Sequence, residues 1–401
     1  MTDHLPGDLE DRVRDAYQSA ARTVQPQTLR RPCPMLAAGS VPRPRRMNAF
    51  APIAAAMAVI VVIAASAALP RLLTGAAGAS RNPAAPGISA HAPGHYPPFR
   101  VVVTTNHDNR ESKLLVESAA TGHAVSTLAP PWQGAMWIDV AATADARRFI
   151  VAAAPESSPY APTRLYSLTL SARGTVNGLA PLAVPTLPGE ITSLAASADG
   201  STVAYTTFGF GPGAAYQAGV ITDGRTRQWS VPAGVIGGMW HVSVSSDGGM
   251  LAVITQSLAG HGVENTAWAL PTRSAPGSLT ARATKVYDHS YTAGTGHAAT
   301  ILESALISPD GGTLYLSTTA RSASGTTVTA VTAYRTADGA SLGTISTWEG
   351  GYPALLAPVG GMLLVWDGDS STAYLINPAT RTRTTLRLRG LPRVQYLTLA
   401  W

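Results

Sequence analysis

Apolar and polar positions alternate in short runs over most of the chain, and one arrangement of them recurs. An apolar run of strand length meets a tight turn built on Asp-Gly, and a second apolar run follows. It reads SLAASADGSTVAYTT at 193–207, VSVSSDGGMLAVIT at 242–255 and ALISPDGGTLYLST at 305–318. Weaker copies are VAATADARRFIVAA at 140–153 and LLAPVGGMLLVW at 355–366, where Val359 stands in place of Asp. The copies lie 48–63 residues apart. Runs of this length and composition predict β-strands. The Asp-Gly pair predicts a hairpin, because Gly adopts a positive φ at no steric cost and Asp hydrogen-bonds its own backbone.

A second hairpin lies between the copies. Its instances are LLVESAATGHAVSTL (114–128), YSLTLSARGTVNGLAPL (166–182), GVITDGRTRQWSV (219–231), AYRTADGASLGTIS (333–346) and AYLINPATRTRTTLRL (373–388). Two hairpins per ~50 residues make a four-stranded meander, the blade of a β-propeller. Residues 99–128 supply three strands and lack an innermost one, while VQYLTLAW at 394–401 reads as an innermost strand with nothing after it. Joined, the two close a ring. The expectation is therefore an all-β propeller of six four-stranded blades, with five or seven left open by the long, poorly patterned stretch 256–300.

The phrases SPDGGTLYLST and SSDGGMLAVIT are similar to the repeats of TolB-like and WD-type propellers of bacteria. The whole arrangement resembles the single-pass, propeller-bearing membrane proteins of actinobacteria. That resemblance covers residues 99–401 and implies a binding scaffold. WD dipeptides closing each blade are absent, since Trp366-Asp367 is the one occurrence and sits elsewhere in the pattern.

Ahead of the repeats the pattern changes. Ala49–Leu69 is an uncharged apolar run of 21 residues, AFAPIAAAMAVIVVIAASAAL. As a helix it reaches about 30 Å, the hydrocarbon thickness of a bilayer. A transmembrane helix over 49–70 is expected, with the lipid bilayer as its partner. Residues 71–98 are rich in Gly, Ala and Pro and read as an extended stalk. Residues 8–24 (DLEDRVRDAYQSAARTV) predict a short helix. Asp8 stands at the cap, acids fill the first turn, and Leu9, Val13, Tyr17, Ala20 and Val24 lie on one face. This helix is a candidate docking element for a cytoplasmic partner. The alternative, a cleaved signal peptide, is disfavoured: too much chain precedes the run, and the run exceeds the usual 7–15 residues.

Charge supports that layout. Residues 1–48 hold eight arginines against five acids, whereas the part from residue 71 onward holds 21 bases and 18 acids. Arg43, Arg45 and Arg46, just before the apolar run, place residues 1–48 in the cytoplasm and residues 99–401 outside it. A dense basic stripe interleaved with aromatics is missing, so the high pI is no nucleic-acid footprint. Cys33 is the single cysteine, and the propeller must hold together by packing alone.

Candidate chemistry is sparse. Gly339-Ala340-Ser341-Leu342-Gly343 matches the G-x-S-x-G nucleophile elbow, but that elbow needs a helix after the serine, and a strand-like run follows here. Phe208-Gly209-Phe210-Gly211-Pro212-Gly213 lacks the helix start that a phosphate cradle requires and reads as a loop. His91 and His95 have metal-like spacing, yet Pro93 and Gly94 forbid the helix that would converge them. Asp367-Gly368-Asp369-Ser370 offers oxygens of the kind calcium takes but reads as a turn. No catalytic residue, cofactor or metal is expected.

Topology supplies a binding face instead. In each blade the loops between strands two and three, and the connections between blades, share one side of the disc. The loops 154–163, 206–217 and 255–265 are expected to be long. With the connections carrying Trp132, Trp137, Tyr291, Trp348 and Tyr352, they gather Trp132, Tyr160, Phe208, Phe210, Tyr216, His261 and Tyr352 on that side. Aromatics are the usual anchors of an interface. The expected function is a membrane-anchored, non-catalytic binding propeller of the cell envelope. The competing expectation is a transmembrane signal transducer acting through residues 1–48, as anti-sigma factors do, although a single cysteine excludes their zinc-binding form.

Overall fold

The computed structural model describes residues 97–106, 111–156, 162–208, 216–231, 238–259, 262–292, 300–321, 326–351, 353–359, 361–367, 372–387 and 396–400. The expected helix at 8–24, the anchor at 49–70 and nearly all of the stalk lie outside the described residues. Among those described, no helix is long and apolar enough to cross a membrane.

The chain opens with three antiparallel strands, β1 (Phe99–Asn106), β2 (Glu111–Ser118) and β3 (Ala124–Leu128). Blade one follows as β4 (Ala135–Ala142), β5 (Arg148–Pro155), β6 (Arg164–Leu170) and β7 (Val176–Pro181). Blade two is β8 (Glu190–Ala196), β9 (Thr202–Phe208), β10 (Tyr216–Thr222) and β11 (Arg225–Ser230). Blade three takes β12 (Gly238–Val244), β13 (Met250–Ala259) and β14 (Gly262–Pro271). A detour through β15 (Gly277–Ser278) and the short helix α1 (Leu279–Arg282) then leads to its last strand, β16 (Thr284–Thr292). Blade four is β17 (Thr300–Ile307), β18 (Thr313–Arg321), β19 (Thr327–Arg335) and β20 (Ser341–Glu349). Blade five is β21 (Pro353–Val359), β22 (Met362–Asp367), β23 (Thr372–Ile376) and β24 (Arg383–Arg387). The last strand, β25 (Tyr396–Ala400), returns to pair with β1, giving the order β25-β1-β2-β3 and a sixth blade.

The ring closes as the repeat pattern expects, with six blades. Each gap between neighbouring blades is filled by apolar side chains from both. Val101, Leu114 and Val116 of blade six meet Trp137, Phe149 and Leu168 of blade one. Ile150 and Leu165 meet Ile191, Val203 and Tyr205. The pattern continues around the disc until Leu364 and Leu375 of blade five meet Val102 of blade six. A strand sandwiched between two blades is apolar on both faces, so β5 reads RFIVAAAP with six consecutive buried residues. Outer strands face solvent and are mostly exposed, as β24 is.

The Asp-Gly turns do join the first two strands of blades two, three and four. In each, the hydroxyl before the turn donates to the Asp carboxylate and accepts the N–H that reopens the ladder. Ser197 bonds Asp199 at 2.7 Å and takes the Thr202 N–H at 2.9 Å; Ser245 and Ser308 repeat this with Asp247 and Asp310. The turns are also linked to one another: the Ala144 N–H donates to the Ala198 carbonyl, Ala198 to Ser246, and Ser246 to Pro309, at 3.0–3.2 Å.

The stretch 256–300 differs from expectation in three ways. Strands β13 and β14 run on until Ala259 faces Gly262, so 255–265 is a hairpin instead of a long loop. Tyr291 lies within β16 instead of in a connection. The detour 272–283 leaves its own blade and lays β15 parallel to β11, giving blade two a fifth strand. Two contacts pin it: the Trp229 indole N–H donates to the Ala275 carbonyl at 3.0 Å, and Leu279 is fully buried against blade two. This excursion is what obscures the repeat in that copy.

Candidate functional site

The side of the disc carrying the blade-to-blade connections also carries the ends of β5, β9 and β13 and the starts of β6, β10 and β14. Of the seven residues expected there, Trp132, Phe208 and Tyr216 are described. Tyr160, Phe210, His261 and Tyr352 lie outside the described residues. Trp137 and Trp348, expected in connections, sit inside β4 and β20 and are buried at 0% and 7% exposure, so they belong to the core between blades.

Phe208 ends β9 and Tyr216 begins β10, directly opposite each other in the ladder. Their rings stack, with centroids 4.5 Å apart and planes at 29°. Glu190, the first residue of the innermost strand β8, is opposite Phe208 on its other side. Residues paired in this way point to the same face of a sheet. Glu190, Phe208 and Tyr216 therefore form one row across three strands at the mouth of blade two, all half-buried. Burial pushes the Glu190 carboxyl and the Tyr216 phenol up from their ordinary values.

Trp132 lies in the connection that enters blade one and packs beside Tyr166, with centroids 6.4 Å apart. The exposed Arg164, first residue of β6, holds its guanidinium 5.2 Å from the centre of the Trp132 ring. That distance falls within cation–π range. Blades one and two thus each place an aromatic group on this side, that of blade one beside a guanidinium of the chain.

A second constellation lies deeper, and the sequence reading missed it. Five innermost strands slip register by one residue near their start. The slips fall between Trp137 and Asp139, Ile191 and Ser193, Met239 and His241, Leu302 and Ser304, and Leu355 and Ala357. Residues just past three of these bulges reach the next blade. Asp139 accepts from the Val140 N–H at 2.7 Å and from the Leu194 N–H of blade two. Ser193 accepts from the Val242 N–H of blade three at 3.1 Å. Ser317, hydrogen-bonded to Ser304 at 2.7 Å, donates to the Pro353 carbonyl of blade five at 3.0 Å. Burial pushes Asp139 up to about 7 and His241 down to about 4. Aligning the repeat copies on their turns would have placed Asp139, Ser193, His241 and Ser304 in one column. Asp139, Ser193 and Ser304 already bind blade to blade, so the column is chiefly structural.

The serine of the G-x-S-x-G match begins strand β20, straight after a hairpin turn closed by Gly339 at φ +73°. Ser341 Oγ accepts from the Gly343 N–H at 3.3 Å. A strand follows it, so the elbow geometry does not form. Among the described residues no group of three His, Cys, Asp or Glu stands together as a metal site.

No protein-family model matches the chain, and none of the curated proteins matches it. Solved structures give distant matches. TolB from Acinetobacter baumannii is 12% identical with a TM-score of 0.46, over 75% of this chain and 66% of that one, so the match spans just under two thirds of TolB. The periplasmic gluconolactonase of Pseudomonas aeruginosa is 14% identical with a TM-score of 0.43, over 76% and 99% of the two chains. Hydrazine synthase of Kuenenia stuttgartiensis is 12% identical with a TM-score of 0.41, over 72% and 95%. At these identities and scores the likeness carries no argument about fold or activity; the six blades stand on the strand pairings themselves.

Proposed function

We propose that this chain is a single-pass membrane protein of the bacterial cell envelope whose propeller binds a partner without catalysis. In this reading residues 1–48, with their short helix, are cytoplasmic, 49–70 cross the membrane, 71–98 are a stalk, and 99–401 present the propeller outside. The apolar run and the arginines before it support the anchoring. The observation that supports binding is the half-buried Phe208–Tyr216 stack, held at strand ends on the connection side. Tyr216 packs against the edge of the cluster between blades two and three, and half-buried aromatics at strand ends suit an interface anchor.

The test is capture of a crosslinked partner by the full chain in native membranes. Replacing Phe208, Phe210 and Tyr216 together with serine should reduce capture at least tenfold while the melting temperature stays within a few degrees. Unfolding of the triple variant would show these aromatics to be structural. A serine-directed covalent probe attaching to Ser341 would speak for an enzyme. For the anchoring, a membrane-impermeant thiol reagent should leave Cys33 unlabelled in intact cells, and labelling from outside would refute the orientation.

A further inference from the structure

Charge is spread unevenly over the propeller. Residues 370–401 hold five arginines, Arg381, Arg383, Arg387, Arg389 and Arg393, and no acid, whereas residues 99–369 hold 14 bases against 18 acids. Three of the five belong to the last hairpin of blade five: Arg381 in its turn, Arg383 and Arg387 at the two ends of β24. All three are exposed, and among the described residues none has an ion pair. Arg383 is held in place from one side. Its guanidinium lies 4.8 Å from the centre of the Tyr374 ring and 5.5 Å from that of Trp348, and its Nη1 donates to the Thr347 carbonyl at 3.4 Å. Arg389 and Arg393 lie outside the described residues.

Strand β24 is the outer edge of its blade, in the order β21-β22-β23-β24. The Asn377 N–H donates to the Thr382 carbonyl at 2.9 Å, and the register with β23 runs without a slip from Ile376–Arg383 to Thr372–Arg387. Alternate residues of an antiparallel pair bond the neighbour, so Arg383, Thr385 and Arg387 turn their N–H and C=O groups away from β23. Blade two shows what such an edge accepts. Its β11 also carries arginines, Arg225 and Arg227, and takes β15 as a fifth strand. Among the described residues β24 has no such strand. Edge charges also deter pairing between identical edges. As a general guard they would be shared, yet the outer strands β3, β7 and β20 carry no base. We propose that β24 docks an extended acidic segment of another protein, added to blade five as a fifth strand. The outward backbone groups of Arg383, Thr385 and Arg387 supply the ladder, and the guanidinium groups select carboxylates. A second copy of β24 is repelled by the same charges. This edge belongs to blade five and the Phe208–Tyr216 stack to blade two, so the two surfaces are separate.

The test is the fluorescence anisotropy of a labelled peptide, Glu-Thr-Glu-Val-Glu-Thr-Glu, titrated with the full chain in detergent micelles. It should bind saturably, and a counterpart with glutamine in place of each glutamate at least about tenfold more weakly. A form N-methylated at every residue keeps the carboxylates but cannot complete the ladder, and should not bind. Thr385→Pro removes an N–H that faces outward, which an edge strand tolerates, and should abolish binding with the melting temperature unchanged. Arg381→Gln together with Arg387→Gln should weaken binding about tenfold. Folded protein carrying the Phe208, Phe210 and Tyr216 replacements should bind the peptide unchanged, so failure of the docking edge leaves the connection-side reading standing. No binding of the acidic peptide, equal binding of the glutamine form, or loss of binding in that aromatic variant overturns the docking edge. Equal binding of the N-methylated form overturns it too, and competition by phosphatidylglycerol vesicles would then assign the arginines to a lipid surface. Should Thr385→Pro unfold, the N-methylated peptide decides by itself.

Discussion

Val101 of β1 lies opposite Ala400 of β25, so the first strand of the propeller is zipped to the last. The pairing runs from Val101–Ala400 to Thr105–Tyr396, five residues in antiparallel register. It is the covalently unlinked seam of the ring, because the four main strands of every other blade follow one another in chain order. Both Val101 and Ala400 are buried in the core between blades six and one.

Removing 394–401 should therefore do more than trim an end. It exposes the inner edge of β1 and uncovers Val101 and Val103. The shortened chain is expected to lose its cooperative melting transition and to bind a hydrophobic dye at room temperature. Melting within a few degrees of the intact protein would show that β25 is dispensable for closure.

Blade six also contains a buried ion pair. Arg100 donates from both Nε and Nη2 to one carboxylate oxygen of Glu117, each at 2.7 Å, and neither residue is more than 3% exposed. Burial raises the Glu117 carboxyl despite the neighbouring guanidinium. Removing Glu117 takes a buried carboxylate away from the Arg100 guanidinium. Glu117→Ala should cost about 3–5 kcal/mol in chemical denaturation, while the double change Arg100→Met with Glu117→Leu should cost far less. Similar losses in both would mean that packing, and not the charge pairing, sets the penalty.

Gly339 and Ser341 offer a contrast within one turn. Gly339 sits at φ +73°, and a Cβ there would lie 2.9 Å from the Lys285 carbonyl oxygen and 3.0 Å from that of Val286. Gly339→Ala should destabilise the protein by about 1–3 kcal/mol through backbone strain and crowding. Ser341→Ala, on an exposed strand start, should change stability by less than about 0.5 kcal/mol and leave every binding function intact. Urea unfolding of the two variants reads the difference directly.

Asp139 and His241 pull the pH dependence of stability in opposite directions. Asp139 is held near 7 against an ordinary 3.8, so between these values the folded state keeps a proton that the unfolded chain releases. Its contribution is full at low pH and is lost as pH rises through about 7, by roughly 4 kcal/mol at most. His241 is pushed down to about 4 from 6.5, its Nδ1 shut from solvent without a partner among the described residues. Its contribution is present above pH 6.5 and is lost as pH falls through about 4. Between pH 4 and 6.5 the two offset each other. Asp139→Asn should therefore make the protein more stable as pH rises across that range, and His241→Gln less stable. Melting curves at half-unit pH steps check both signs, and parallel profiles for the two variants would contradict the assignment.

The sequence by itself determined the blades. A four-strand unit recurring around Asp-Gly turns states its own period, and an orphan inner strand at the end states how the ring shuts. Those features are local: Gly200, Gly248 and Gly311 each take a positive φ in the turn that the dipeptide demands. The connection side was legible in the same way, since alternation of strands dictates which loops share a face. Only the tertiary structure decided the rest. The excursion of 272–283 onto blade two depends on Trp229 finding the Ala275 carbonyl across 46 residues of chain, which no local pattern encodes. The stack of Phe208 on Tyr216 is invisible in the sequence because sharing a side of the disc does not say which rings meet, and a lone acid before a strand, such as Glu190, carries no signal. Its partners are cross-strand neighbours, fixed by register, and the single-residue slips of β4, β8, β12, β17 and β21 set which side chains reach the next blade. Register is a property of paired strands, so one strand's sequence determines its faces and leaves its neighbours to the fold.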